Sequence, residues 1–211
     1  MTIERFDVRI YDGKKLSRVA ADIIREVTVE IILNNRKIIT IACTGNHLKE
    51  LAVGFLRSEG VIETLEDLKK VVVSHEEGRV DIFTKKGDKP SISMKTIASS
   101  GSRGDRMDKI PSGVLESEIA ISSHHVLNLM EDLLKSSNLH SATHGTHCSA
   151  LADVNGILVS REDIGRHNTI DMLGGYSLLE EIDCSDKIIV TTGRVSSEIV
   201  TKVWGRANSG L

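Results

Sequence analysis

A chain of 211 residues with 40% hydrophobic and 27% charged side chains is long enough for one large domain or two modest ones, and apolar enough for a real core. Its formal charge of -3 argues against broad nucleic-acid binding, which needs a basic face. No run approaches the ~20 apolar residues of a bilayer span, and the charged start "MTIERFDVRIYDGKK" has no apolar signal core, so a cytoplasmic protein with no membrane partner is expected.

The first forty residues read as strands. "RFDVRIYDGKK" and "EVTVEIILNNRKIITIAC" are rich in β-branched residues, and Asn34-Asn35 suits a tight hairpin turn. In "TGNHLKELAVGFLRSEGVI", Leu48, Leu51, Ala52 and Phe55 recur at helical spacing, with Asn46 placed to cap the helix and Gly60 to end it. "KKVVVSHEEGRVDIFTKKG" predicts two more strands about a Glu77-Gly78 turn. From Lys85 to Pro111 the chain is polar, without a core-forming pattern, and reads as a mobile loop. "SSHHVLNLMEDLLKSS" predicts a helix through Val126, Leu129, Met130, Leu133 and Leu134. "THCSALADVNGILVS" predicts a hairpin closed by Asn155-Gly156, followed by a helix after Asn168, the strand "KIIVTT" and a last helix "SEIVTKVW". This alternation predicts an α/β sheet covered on both faces.

Two strand-to-helix turns carry the chemistry. "ILVSREDIGRHNTI" and "IIVTTGRVSSEIV" each set a Gly-Arg pair between a strand and a helix, with a polar cap following, Asn168 in one and Ser196 in the other. Ligands of open α/β sheets lie beyond the carboxyl ends of the strands, and helix N-termini attract anions, so Arg166 and Arg194 are expected to converge on a phosphate-bearing ligand. The alternative is a pair of solvated caps whose arginines bind Glu162 or Glu198. "THGTHCS" gathers His144, His147 and Cys148, but neighbours on a strand point to opposite faces, which is poor spacing for zinc; no structural metal is expected. Cys43, Cys148 and Cys184 are odd in number and unpaired in spacing, so reduced thiols are expected, with Cys43 and Cys184 as small buried side chains. No G-x-S-x-G elbow, Walker loop or G-x-G-x-x-G is present.

"REVTVEIILNN", "TGNHLKELAVGFLRSEGVI", "THGTHCSALAD", "EDIGRHNTIDMLGG" and "TTGRVSSEIVTK" occur in the order and rough spacing of the formate dehydrogenase accessory proteins, and from about Arg25 to Lys202 the chain resembles the FdhD/NarQ family. The resemblance implies a cytidine-deaminase-like α/β/α sandwich with a smaller β-rich N-terminal portion, here residues 1–110 with one helix and a mobile polar loop, before an α/β cofactor-binding portion, residues 111–211. It also implies a homodimer. It implies a sulfurtransferase that takes persulfide sulfur from a cysteine desulfurase and delivers it to the molybdenum or tungsten bis(guanine dinucleotide) cofactor of formate dehydrogenase, a cargo for which GDP is the expected mimic. The alternative is a binding module or chaperone for that cofactor that moves no sulfur.

Sulfane sulfur passes when a thiolate attacks a persulfide, so a carrier needs an exposed, activated Cys. The family carries a Cys-x-x-Cys loop. Here the matching loop reads "TIASSGSRGDRMD", with Ser102 at about the position of the first Cys, and Cys148 is the remaining candidate substitute. The family also continues past the last helix with a basic-glycine stretch, whereas this sequence stops at "VWGRANSGL". Carried over by motif position, the expected cofactor-binding residues are Thr143, Gly145, His147, Gly165, Arg166, His167, Asn168, Gly193, Arg194 and Ser196, with Asp163 and Asp171 orienting the cations.

Overall fold

The computed structural model describes residues 2–85, 95–97 and 119–207. Two nine-residue strands open the chain, β1 (Ile3–Tyr11) and β2 (Leu16–Ile24), paired antiparallel as a sheet of their own. β3 (Val27–Leu33) and β4 (Arg36–Cys43) turn through Asn34 and Asn35, whose φ of 48° and 68° are the left-handed pair that a two-residue hairpin demands. After α1 (Leu48–Ser58) come β5 (Leu68–Ser74), β6 (Arg79–Thr84) and β7 (Lys95–Ile97), giving a five-stranded sheet in the order β5-β6-β3-β4-β7. β7 corrects the loop expected there, because Lys95 to Ile97 pair in parallel with Ile39 to Ile41 and extend the sheet edge. The rest of that loop, Ser102 included, lies outside the described residues.

The second half runs α2 (Ser123–Ser136), α3 (Asn138–Thr143), β8 (His147–Asp153), β9 (Gly156–Asp163), α4 (Arg166–Leu179), β10 (Ile188–Thr191) and α5 (Ser197–Ala207). Its sheet has the order β10-β8-β9, with both outer strands antiparallel to β8. β9 and β10 therefore run the same way on either side of β8. Their carboxyl ends, at Asp163 and Thr191, meet the start of β8, where His147 pairs with Asp163 and Ser149 with Thr191. α4 packs on this small sheet, as does α2, through Leu129 and Leu133 against Cys148, Ala150, Ala152 and Val190.

α1 lies on the five-stranded sheet, and its other side meets α4, so Met172 and Leu178 of α4 share a core with Val29, Ile31 and Leu51. Two glycines let the helices touch. A Cβ built on Gly54 would sit 1.7 Å from the Asp171 carbonyl oxygen, and one on Gly175 would sit 1.9 Å from that of Glu50. The pair joins the chain before residue 110 to the chain after it in one core. Among the described residues, no helix is long and apolar enough to cross a membrane.

Two expected caps are corrected. α1 starts from His47, in the left-handed region at φ 50°, without a side-chain cap, while Asn46 Oδ1 accepts from Thr2 Oγ1 at 3.4 Å. α4 starts from Gly165, three residues before the expected cap, and Asn168 is turned inward. Gly60, at φ 67°, ends the first turnaround as expected, its N–H bonded to the Arg57 carbonyl at 2.9 Å.

Candidate functional site

Most of the charge in "REDIGRHNTID" is absorbed by the fold. Arg161 donates two bonds to Glu50 of α1, from Nη2 to Oε1 at 2.7 Å and from Nε to Oε2 at 2.5 Å, and lies over the Tyr176 ring. Glu162 accepts from the backbone N–H groups of Leu139 and His140, at 3.0 and 2.8 Å, and so serves the first turn of α3. Asp163, fully buried, accepts from four donors. Its Oδ2 takes Thr44 N–H at 2.8 Å and Thr44 Oγ1–H at 2.9 Å, and its Oδ1 takes Gly165 N–H at 3.0 Å and the Asn168 amide at 2.7 Å. Burial pushes the carboxyl up from its ordinary value against the pull of those donors. Asp171 accepts from Ser58 Oγ at 2.7 Å and from the buried Lys202, which ties α4 to α1 and α5.

These bonds reassign several expected ligand residues. Asp163 fixes two turns and touches neither Arg166 nor a surface. Asn168 spans Asp163 and the Ala42 carbonyl, at 2.8 Å, so its amide is committed inside. His167 is 8% exposed and faces α5, with Nε2 3.0 Å from Glu198 Oε2. Burial first, then Lys202 and Arg166, hold it below the ordinary imidazole value.

What remains is a basic corner at the end of the small sheet. Gly193 lies so close to Arg166 that a Cβ there would be 2.9 Å from Arg166 Cβ, which puts the β10–α5 turn directly against the β9–α4 turn. His147, at the start of β8, is lowered by burial first and then by the positive fields of Arg166, His140 and Arg194. Arg166 is part-buried with its Nε sealed and unpartnered, and Arg194 is exposed; among the described residues neither has a carboxylate partner. Of the acids a pair of solvated caps would use, Glu162 is bonded to the start of α3 and Glu198 Oε2 lies 3.0 Å from His167 Nε2. The first N–H groups of α4 precede the Thr169-to-Gly165 bond, and Ser196 Oγ accepts from Ile199 N–H at the start of α5.

The segment from Thr143 to Thr146 joins α3 to β8. Thr143 closes α3, with Oγ1 donating to the Leu139 carbonyl at 2.7 Å and accepting from Gly145 N–H at 3.2 Å. His144 is left-handed at φ 52°, and its ring meets that of His140 edge-on. Thr146 and Thr192 were not expected. Thr146 Oγ1 is buried without a partner, and Thr192 Oγ1 accepts from Cys148 N–H at 3.0 Å, pinning the glycine turn to β8. The only sequence signal for either is its place beside a Gly in a turn. Among the described residues, no group of three His, Cys, Asp or Glu side chains is placed to hold a metal ion.

The sequence model of the FdhD/NarQ family matches residues 24–207. The chain belongs to that family. It is 34% identical over 203 residues to the sulfur carrier protein FdhD of Bacillus subtilis, covering 93% of this chain and 78% of the relative. The sulfur carrier protein FdhD of Staphylococcus aureus is 33% identical over 202 residues, covering 92% and 76%. A crystal structure from Desulfotalea psychrophila, described as a formate dehydrogenase accessory protein, superposes with a TM-score of 0.78 at 22% identity, covering 98% of this chain and 81% of that one. The α/β fold is therefore that of an FdhD/NarQ accessory protein.

For an FdhD/NarQ chain the thiols matter. Cys43 and Cys148 are fully buried, and burial pushes them up to about 12 and about 11. Neither has the exposure or the acidity that attack on a persulfide requires. His147 and Cys148 do point to opposite sides, one toward the basic corner and the other into the core beside α2. Cys184, expected to be buried, is part-exposed in the turn before β10, its Sγ donating weakly to the Ile182 carbonyl at 3.6 Å.

Proposed function

We propose that this chain is a cytoplasmic accessory protein of formate dehydrogenase that grips the diphosphates of a molybdenum or tungsten bis(guanine dinucleotide) cofactor between Arg166 and Arg194. His147, Gly193 and the N–H groups opening α4 and α5 complete the grip. The observation that carries this reading is the contact of the two Gly-Arg turns, Gly193 against Arg166, with no carboxylate partner on either arginine among the described residues. Thr143 and Gly145, just before His147 in the chain, are suited to the nucleotide beyond the phosphates. Family membership supports formate dehydrogenase as the enzyme served, and relatives that carry the name sulfur carrier protein support a cysteine desulfurase as the sulfur donor to the pathway.

The holding role takes precedence over sulfur transfer in this chain. Ser102 stands where the family's carrier thiol is expected, and a hydroxyl cannot carry sulfane sulfur. Cys43 and Cys148 are sealed in the core. Calorimetry with GDP tests the grip. Arg166→Ala and Arg194→Ala are each expected to weaken binding by about 10–100-fold, the loss of one charged hydrogen-bond donor, while the fold persists. Unchanged affinity in both variants would remove the proposal. Incubation with a cysteine desulfurase, cysteine and a persulfide-selective alkylating probe separates the two roles: the expected result is an unlabelled protein that binds GDP, and stoichiometric label on a named Cys would restore sulfur transfer.

A further inference from the structure

The buried side chains of β8 are Cys148, Ala150, Leu151 and Ala152, an ordinary strand core, together with Ser149. Ser149 is the exception. A fully buried hydroxyl is costly to leave unbonded, and strand packing alone would be served by alanine. Its partners show what it joins. Ser149 Oγ donates to Thr191 Oγ1 at 2.8 Å and shares a 2.7 Å bond with Thr169 Oγ1, which is also fully buried.

Each partner ends on the backbone of one Gly-Arg turn. Thr169 Oγ1 donates to the Arg166 carbonyl at 2.8 Å, in the first turn of α4. Thr191 Oγ1 accepts from Gly193 N–H at 3.0 Å, and its own proton is directed at the Cys148 carbonyl, 3.4 Å away. Hydroxyl groups thus link Arg166 to Gly193 across β8, with Ser149 in the middle. The contact they hold is tight. A Cβ on Gly193 would lie 2.9 Å from that of Arg166, and a small rotation of the glycine turn redirects Arg194, the next residue.

We propose that Ser149 is a positioning residue of the anion site: it fixes the β9–α4 and β10–α5 turns to each other and so sets the spacing of Arg166 and Arg194 before a diphosphate arrives. It touches no ligand itself. Donors held in place beforehand bind more tightly, because less freedom is lost on binding. The inference rests on the reading of Arg166 and Arg194 as the diphosphate grip, and adds the buried element that holds the grip in shape.

Calorimetry with GDP and amide exchange at Gly193, both on the full chain, test it. Ser149→Ala is expected to weaken GDP binding by about tenfold and to speed exchange of the Gly193 N–H in the unliganded protein by a similar factor. Thr191→Val, which keeps the shape and removes the hydroxyl, should do the same, while Thr191→Ser should restore both readouts. Ser177→Ala is the control for stability alone. That hydroxyl is also buried, donates to the Gly174 carbonyl at 3.1 Å and accepts from Arg57 Nη1 at 3.2 Å. Its loss should lower Tm as Ser149→Ala does and leave both readouts at their wild-type values. Failure of the grip and failure of the link are distinguishable. If Arg166→Ala and Arg194→Ala bind GDP as the wild type does, the grip is refuted and this inference falls with it. If those two lose affinity while Ser149→Ala matches Ser177→Ala in both readouts, or Thr191→Ser fails to restore them, the hydroxyl link is overturned and the grip stands.

Discussion

Eleven residues from Arg161 to Asp171 hold five charged side chains and a His, and all but one of these six serve the interior. Arg161, Asp163 and Asp171 tie β9 and α4 to α1 and to the turn after β4, Glu162 serves α3, and His167 faces α5. Arg166 is left to face outward. That division was not legible in the sequence, because a buried carboxylate such as Asp163 is recognised by four donors, two of them on Thr44, 119 residues away. His147 gives the residue-scale test. Its folded value lies below the ordinary imidazole value of about 6.5, so it is neutral at pH 7; its contribution to stability is full above that value and is lost as pH falls, when the unfolded chain takes up the proton first. A bound diphosphate offsets the fields of Arg166 and Arg194 and draws a proton onto the ring. GDP affinity measured from pH 7.5 to 6 should therefore improve in wild type relative to His147→Gln, with proton uptake seen as a buffer-dependent binding enthalpy. Parallel profiles for the two proteins would mean that His147 lies away from the anion.

The secondary elements were largely readable one at a time and less so where packing chooses their ends. Asn34-Asn35 specified its hairpin because both residues tolerate positive φ, and the spacing of Leu48, Leu51, Ala52 and Phe55 specified α1. α4 is different. It is buried from His167 to Gly175 with hardly a polar face, so no periodic stripe marked its start, and the amide of Asn168 was drawn inward by Asp163 instead of capping the helix. β7 depends on pairing with β4, which a three-residue stretch cannot announce. The contact between α1 and α4 makes the element-scale prediction. A methyl group at Gly54 or Gly175 falls inside the van der Waals radius of a backbone carbonyl on the facing helix, so neither helix can yield without sliding. Gly54→Ala and Gly175→Ala should each cost about 3 kcal/mol and lower Tm by about 6–12 °C in thermal unfolding. A loss below about 1 kcal/mol in both would show that the helices are further apart than described.

At the scale of the whole molecule, the two Gly-Arg turns meet for a reason the chain order only half contains. The expectation drew on parallel α/β sheets, whereas the small sheet is antiparallel throughout; β9 and β10 run together because β8 lies between them. The consequence for the turns is the same, since both strands end where β8 begins and Gly193 lies against Arg166. The most direct test is a crystal structure of the full chain with GDP bound. The diphosphate is expected within hydrogen-bonding distance of the Arg166 and Arg194 guanidinium groups, beside Gly193 and the first turn of α4. Clear density for GDP elsewhere, with both arginines turned to solvent, would contradict it.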